Sequence, residues 1–129
     1  MPGSTLISLF DANPDRLSGG EVLIGRYIAE REAIGLLNLR TAHRAVAGRE
    51  PGPEGAVTKL ALSELGHKAT AILTELAGAD AAYTEADQIE RTHLLLLHRA
   101  MAIAGGTSEI KRNQIGERIL GLPRDPLIN

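Results

Sequence analysis

The chain has 129 residues, a formal net charge of -2 and a hydrophobic fraction of 43%, which is ordinary for one globular domain with a single core. With no excess of basic residues and only two tyrosines, one phenylalanine and no tryptophan, the composition argues against a nucleic-acid partner. No apolar run approaches the roughly 20 residues of a membrane span, and the first ten residues do not resemble a signal peptide. The absence of cysteine fits a reducing compartment. We therefore expect a cytoplasmic protein that binds neither nucleic acid nor membrane.

Apolar residues recur at the spacing of an amphipathic helix in four segments, which cover about residues 20–47, 53–77, 85–101 and 108–120. Residues 1–17 are predicted to form an N-terminal loop with one short helical turn at 5–10, followed by a single helical domain at 18–129. Ser18 and Thr84 are candidate N-caps for the first and third helices. The four leucines that begin at Leu94 should be buried on more than one side, because that stretch is apolar all round. The sum is an all-α helical bundle with three long helices and a shorter C-terminal one.

The segment from Gly105 to Glu109 separates the third and fourth predicted helices. Two successive glycines let the backbone turn and let a ligand approach closely. The first N–H groups of the next helix then point outward, and the helix dipole favours a polar or anionic partner. The simpler interpretation is a helix start capped by Thr107 or Ser108, and the spacing leaves both interpretations open.

Residues 103–125, IAGGTSEIKRNQIGERILGLPRD, resemble the C-terminal signature of the acyl-CoA dehydrogenase family. That signature is a Gly-Thr-Ser-Glu/Gln-Ile turn before a helix that ends in Arg-Ile/Val-Leu-Gly-Leu-Pro-Arg. Residues 48–78 are similar to the family's middle bundle helices, and are closest to its actinobacterial fatty-acid and steroid branch. The resemblance covers about residues 20–125. It implies the C-terminal four-helix-bundle domain of such an enzyme with its first helix missing, in a dimer or tetramer, homo- or hetero-oligomeric, that associates through the bundle.

The resemblance also implies site residues. In the family the Thr-Ser-Glu/Gln triplet contacts FAD, which assigns Thr107, Ser108 and Glu109 to the cofactor. The glycine before the triplet lies at the acyl-CoA thioester, which assigns Gly106 to the substrate. A second family segment, of the Gln-Ile/Leu-x-Gly-Gly type, touches the FAD of the neighbouring subunit, and its counterparts here are Glu75, Leu76, Ala77, Gly78 and Ala79. Glutamate for glutamine and alanine for the second glycine depart from that pattern, and a carboxylate is unfavourable beside a pyrophosphate.

The family's usual catalytic base is absent. Many members carry a glutamate immediately before the Gly-Thr, where it removes the substrate α-proton while hydride leaves the β-carbon for the flavin. This chain has Gly105 at that position, which cannot accept a proton. The resemblance also implies that the chain lacks the first bundle helix, which carries the base in other members, and the family's N-terminal helical and β domains. We therefore expect no catalytic residue among the 129.

The other candidate residues fit ordinary structural roles better than catalytic or metal-binding ones. His93 and His98 are five residues apart, off the spacing that turns two imidazoles to one helix face, so we expect no metal site. Glu64 and Glu75 are too far apart along one helix for a carboxylate pair. Lys111 and its neighbours alternate in sign as a solvated helix face does, with a phosphate contact as the alternative.

Two hypotheses follow. The first is the C-terminal domain of an FAD-dependent enzyme that introduces an α,β double bond into an acyl- or steroid-side-chain CoA thioester, inactive by itself. The second is a non-catalytic assembly subunit or helical interaction module that pairs with a full-length subunit through an apolar groove. Gly105 in place of the acid favours the second.

Overall fold

The structure is a computed structural model that describes residues 1–49, 52–82 and 89–124. It contains five helices, α1 (Gly3–Ala12), α2 (Gly20–Val46), α3 (Glu54–Ala77), α4 (Ile89–Ile103) and α5 (Ser108–Arg118), with two short 3-10 segments at Pro14–Arg16 and Gly78–Ala82. The prediction of an all-α fold is confirmed, and no strand occurs in the described ranges. The predicted N-cap at residue 84 lies outside them.

The N-terminal segment is more ordered than the sequence predicted. A ten-residue helix replaces the expected short turn, because Leu6 inserts fully into the core. Glycines allow the close packing of α1 on α2: a Cβ on Gly3 would stand 2.7 Å from Cγ1 of Ile28, and one on Gly20 would collide with Phe10. The prediction of Ser18 as an N-cap is wrong. Gly19 takes that position with a φ of 68° and without a side-chain cap.

The core lies where α1, α2 and α3 meet. Leu6, Leu73 and Leu76 are fully buried, with Ile24 and Tyr27 of α2 beside them. α3 packs against all four other helices, and it is the central element of the described chain. Burial of this apolar surface is the dominant favourable term in folding.

The prediction for the leucines of α4 is wrong in this chain. Leu96 is 69% exposed and Leu97 58% exposed. α4 packs mainly against α3, so its other sides face solvent. Leu94, Met101 and Ile103 are also exposed. These five side chains lie on more than one side of the helix, and we call the exposed apolar surface that they form the α4 apolar face. None of the described helices combines the length and the hydropathy that a membrane span requires.

Candidate functional site

Two glycines turn the chain between α4 and α5. Gly105 has a φ of 70° and Gly106 a φ of 103°, values that other L-residues adopt only with strain. The Gly106 N–H donates to the carbonyl of Ile103 at 3.1 Å, which closes the end of α4. A side chain at Gly105 would meet no atom within 4 Å. Backbone conformation, and not lack of space, therefore favours glycine at position 105.

Thr107 begins α5 as its N-cap. Its backbone is extended, and its hydroxyl accepts a hydrogen bond from the Ile110 N–H at 3.4 Å. The first intrahelical bond runs from the Lys111 N–H to the Thr107 carbonyl at 3.0 Å. The N–H groups of Ser108 and Glu109 precede it, so they have no backbone carbonyl acceptor within the helix. Thr107 therefore caps the start of α5, and the first N–H groups of that helix lie at the edge of the Gly105–Gly106 turn.

Glu109 folds back onto the same helix end. Hydrogen bonds from its own backbone N–H and from the Thr107 hydroxyl lower the pKa of the Glu109 carboxyl, and the nearby charges of Arg112 and Lys59 lower it further. A carboxylate near a helix N-terminus is stabilised by the dipole. This internal anion competes with any external one, so the turn is better suited to a neutral polar group than to a second anion.

Lys59 ties the turn to α3. Its ammonium group donates to the carbonyl of Gly106 at 2.6 Å and to the carbonyl of Ala102 at 2.8 Å. The side chain is partly buried and lies 43 residues from the nearer of these partners in sequence. Sequence reasoning missed Lys59, because an isolated lysine in an amphipathic helix gives no signal of so distant a contact.

The second predicted segment lies at the other end of α3. Leu76 is fully buried and Ala77 is 6% exposed, so neither side chain faces a ligand. Gly78 ends the helix with a φ of 61°, and the guanidinium of Arg16 donates to the carbonyls of Leu76 and Ala77 at 3.0 and 3.1 Å. Within this segment only Glu75, Gly78 and Ala79 are exposed.

The two segments are far apart in one copy of the chain. Lys59, which holds the first, and Leu76 in the second are separated by 17 residues of α3, or roughly 25 Å at 1.5 Å per residue. They therefore cannot grip the same end of one small molecule. The sequence-based expectation that they serve cofactors bound to different subunits stays a prediction.

The remaining candidates fall into structural contacts. His67 and His98 meet edge to face across α3 and α4, with ring centroids 5.0 Å apart, a pairing that the sequence did not predict. Arg112 forms an ion pair with Glu64 at 2.9 Å, so each of these two charged side chains already has a partner within the chain. Lys111 donates to the side chain of Gln114 at 3.2 Å. Among the residues with assigned positions, no three His, Cys, Asp or Glu side chains cluster as a metal site would require.

An apolar groove runs between α2, α3 and α4. It has a volume of about 310 Å³, and Lys59, which contacts the turn, is part of its lining. Its lining is Met1, Tyr27, Lys59, Leu62, Ser63, Leu65, Gly66, Ala69, Thr70, Leu94, Leu97, His98, Met101 and Ala104. The phenolic O–H of Tyr27 donates to the Met1 carbonyl at 2.6 Å, and burial raises the pKa of this phenol.

Comparison with known proteins assigns the family. Residues 20–120 match the acyl-CoA dehydrogenase C-terminal domain, and the chain belongs to that family. It is 33% identical over 101 residues to Acyl-CoA dehydrogenase FadE34 of Mycobacterium tuberculosis (strain ATCC 25618 / H37Rv). The alignment covers 78% of this chain and 14% of that relative, so the chain spans about a seventh of its length. No solved structure matches the chain.

Proposed function

We propose that this chain is the C-terminal helical part of an FAD-dependent acyl-CoA dehydrogenase, which oxidises an acyl- or steroid-side-chain CoA thioester in the cytoplasm with flavin shared between subunits. The observation that carries the proposal is the turn before α5, within the family match. Two glycines with positive φ bring bare backbone to the surface, where a planar ligand can approach it closely.

The residues present fit one edge of a flavin. Thr107 offers a hydroxyl, and Ser108 and Glu109 offer the N–H groups of a first helical turn, which suit the oxygen and nitrogen acceptors of an isoalloxazine ring. Gly106 would leave room for the thioester beside it. Bound FAD would supply the hydride acceptor, and these residues would bind and orient it.

The same turn supplies no proton acceptor for the α-carbon. Gly105 has no side chain, and Glu109 is held at the helix start with a lowered pKa, which makes it a weak base. General-base catalysis needs a basic group within hydrogen-bond reach of the proton. We therefore propose that the 129 residues alone neither retain stoichiometric FAD nor oxidise a thioester.

A domain replacement tests the proposal. The aligned region of Acyl-CoA dehydrogenase FadE34 is exchanged for residues 20–120 of this chain, and the flavin content of the purified chimera is read from its absorbance. We expect the chimera to retain FAD and the double variant Thr107→Ala, Ser108→Ala to lose most of it. The conservative variant Thr107→Ser is the matched control, because serine keeps a hydroxyl cap.

Two results would overturn the proposal. One is a chimera that folds but whose flavin content is indifferent to Thr107 and Ser108. The other is stoichiometric FAD on the purified 129-residue chain, which would show that the rest of the site is not needed.

The exposed α4 apolar face favours a second candidate function, a non-catalytic assembly subunit. Large apolar patches on a monomer's surface mark interaction sites, and Leu96, Leu97 and Met101 are each more than half exposed. Light scattering of the purified chain tests the second candidate, because it shows whether the chain associates. A stable monomer at micromolar concentration, unaffected by Leu97→Glu and with no affinity for an acyl-CoA dehydrogenase subunit, would count against this second candidate.

A further inference from the structure

The Gly105–Gly106 turn has no side chains of its own to fix its direction. Glycine has more conformational freedom to lose on folding than any other residue, and two in sequence leave the entry to α5 poorly determined. The contact that compensates comes from α3, where the Lys59 ammonium group donates to the carbonyls of Ala102 and Gly106. Ala102 lies in the last turn of α4, whose carbonyls lack intrahelical partners and carry the negative end of the dipole.

The contact of Lys59 with the Gly106 carbonyl also fixes the direction of the next backbone N–H, because the peptide unit is planar. The Gly106 carbonyl and the Thr107 N–H belong to one peptide unit, and in a trans peptide they point in opposite directions. A carbonyl held towards α3 therefore turns the Thr107 N–H away from α3. We infer that Lys59 is a positioning residue, which orients the Gly106–Thr107 peptide so that its N–H faces outward as a hydrogen-bond donor to a ligand.

Only the ligand in this inference rests on the proposed function, because the orientation of the peptide follows from the contacts of Lys59 alone. A lysine suits the task since its ammonium group has three donors and can serve two carbonyls at once. Lys111 adds a second cation beside Gly106, with its Nζ 3.7 Å from the place where a Cβ on that glycine would lie. Lys111 donates instead to the side chain of Gln114 at 3.2 Å, so among the described side chains it is Lys59 that holds the Gly106 carbonyl.

Amide hydrogen exchange and ¹⁵N NMR of the full 129-residue chain test the inference with three variants. Lys59→Met keeps the length and apolar stem but removes the donors, and should speed exchange of the Gly106 and Lys111 amides about tenfold and shift the Thr107 amide signal. Lys59→Arg should restore both, because a guanidinium can serve two carbonyls, as Arg16 does at the end of α3. Lys68→Met is the matched control, since Lys68 lies on the same helix and pairs with Glu30 at 2.6 Å on the exposed surface.

The inference is overturned if Lys59→Met leaves exchange at both amides within twofold of the wild type, or if Lys68→Met has the same effect. If Lys59→Met does not fold, NMR measurements on the wild type alone test the inference. Nuclear Overhauser contacts from the Lys59 ε-protons to the Gly106 α-protons support the inference, and their absence in a folded, assigned protein contradicts it.

A further arm separates this inference from the proposed function. In the flavoenzyme chimera, Lys59→Met should lower the flavin content severalfold while Lys68→Met does not. If exchange at the turn rises in the isolated chain but the chimera's flavin is indifferent to Lys59 and to Thr107, the proposed function fails and the positioning role stands. If exchange does not rise, the positioning role fails whatever the chimera binds.

Discussion

The carboxylate of Glu109 interacts with the helix end from which it comes. It accepts from its own N–H and from Thr107, and both bonds favour the charged form. In the free chain this carboxylate therefore takes up donor capacity that a bound ligand would use. A ligand at the turn has to displace it or share its donors, which makes the protonation of one exposed residue relevant to binding.

The first prediction concerns pH. Because the folded-state pKa of Glu109 is lowered, its contribution to stability is present above the ordinary glutamate value and is lost as pH falls through the folded value. Carboxyl ¹³C NMR should show Glu109 titrating at a pH below the ordinary glutamate value. Thr107→Val should move the Glu109 midpoint upward, towards that ordinary value, by removing the hydroxyl donor. An unchanged midpoint in Thr107→Val would contradict the hydrogen bond.

Sequence could predict the turn residues but not the groups that hold them. Thr107 and Glu109 are adjacent to the glycines and carry recognisable capping chemistry. Lys59 and Arg16 act on carbonyls 43 to 61 residues away, and backbone carbonyls leave no trace in a sequence pattern. A family signature therefore predicts which residues belong to a candidate site, while the contacts that hold those residues require the fold.

At the scale of whole elements, two helices have a cation from elsewhere in the chain at their C-terminal ends. Arg16 binds the carbonyls of Leu76 and Ala77 at the end of α3, and Lys59 binds Ala102 at the end of α4. Neither helix has a basic residue in its own last turn. Distant cations thus satisfy the terminal carbonyls and complement the negative end of each dipole.

The second prediction tests the contact at the end of α3. Arg16→Met removes two charge-assisted hydrogen bonds and should lower the free energy of unfolding by about 1.5–3 kcal/mol, measured by urea denaturation. Arg40→Met, at an exposed position on α2, should change it by less than about 0.5 kcal/mol. Equal effects from the two variants would mean that the carbonyl contacts of Arg16 contribute nothing specific.

Helix prediction succeeded where amphipathic periodicity extends over several turns and glycine or proline ends it. α2 and α3 begin and end within about one residue of the predicted limits. α1 was underestimated because Gly3 and Pro2 are usually breakers, whereas Gly3 here permits the close approach of Ile28. The burial of the α4 leucines was predicted wrongly. A helix that is apolar on all sides predicts burial, but the pattern does not show which other surface would cover each side.

At the scale of the whole molecule, the buried apolar residues are concentrated where α1, α2 and α3 meet. α4, α5 and much of α2 carry exposed leucine, isoleucine, valine or methionine. The contribution of an apolar residue to stability should therefore depend on whether it lies in that core or on the exposed helix surfaces.

The third prediction compares two leucines of the same size. Leu73→Ala, in the fully buried core, should cost about 2–5 kcal/mol of unfolding free energy, because it removes buried methyl groups and leaves a cavity. Leu96→Ala, at a position 69% exposed, should cost less than about 0.5 kcal/mol in the dilute monomer. Thermal and urea unfolding at low protein concentration measure both. A large loss in Leu96→Ala under those conditions would show that the α4 apolar face is covered even then.

The central position of α3 has a consequence for how the molecule opens. α4 and α5 each pack mainly against α3, while α1, α2 and α3 share one core, so the core protects the inner three helices more than the two outer ones. Proteins open locally at free energies below that of global unfolding. We expect α4 and α5 to detach and return while the rest stays folded. The glycine turn joins these two helices, so anything that binds it would also restrain this fluctuation.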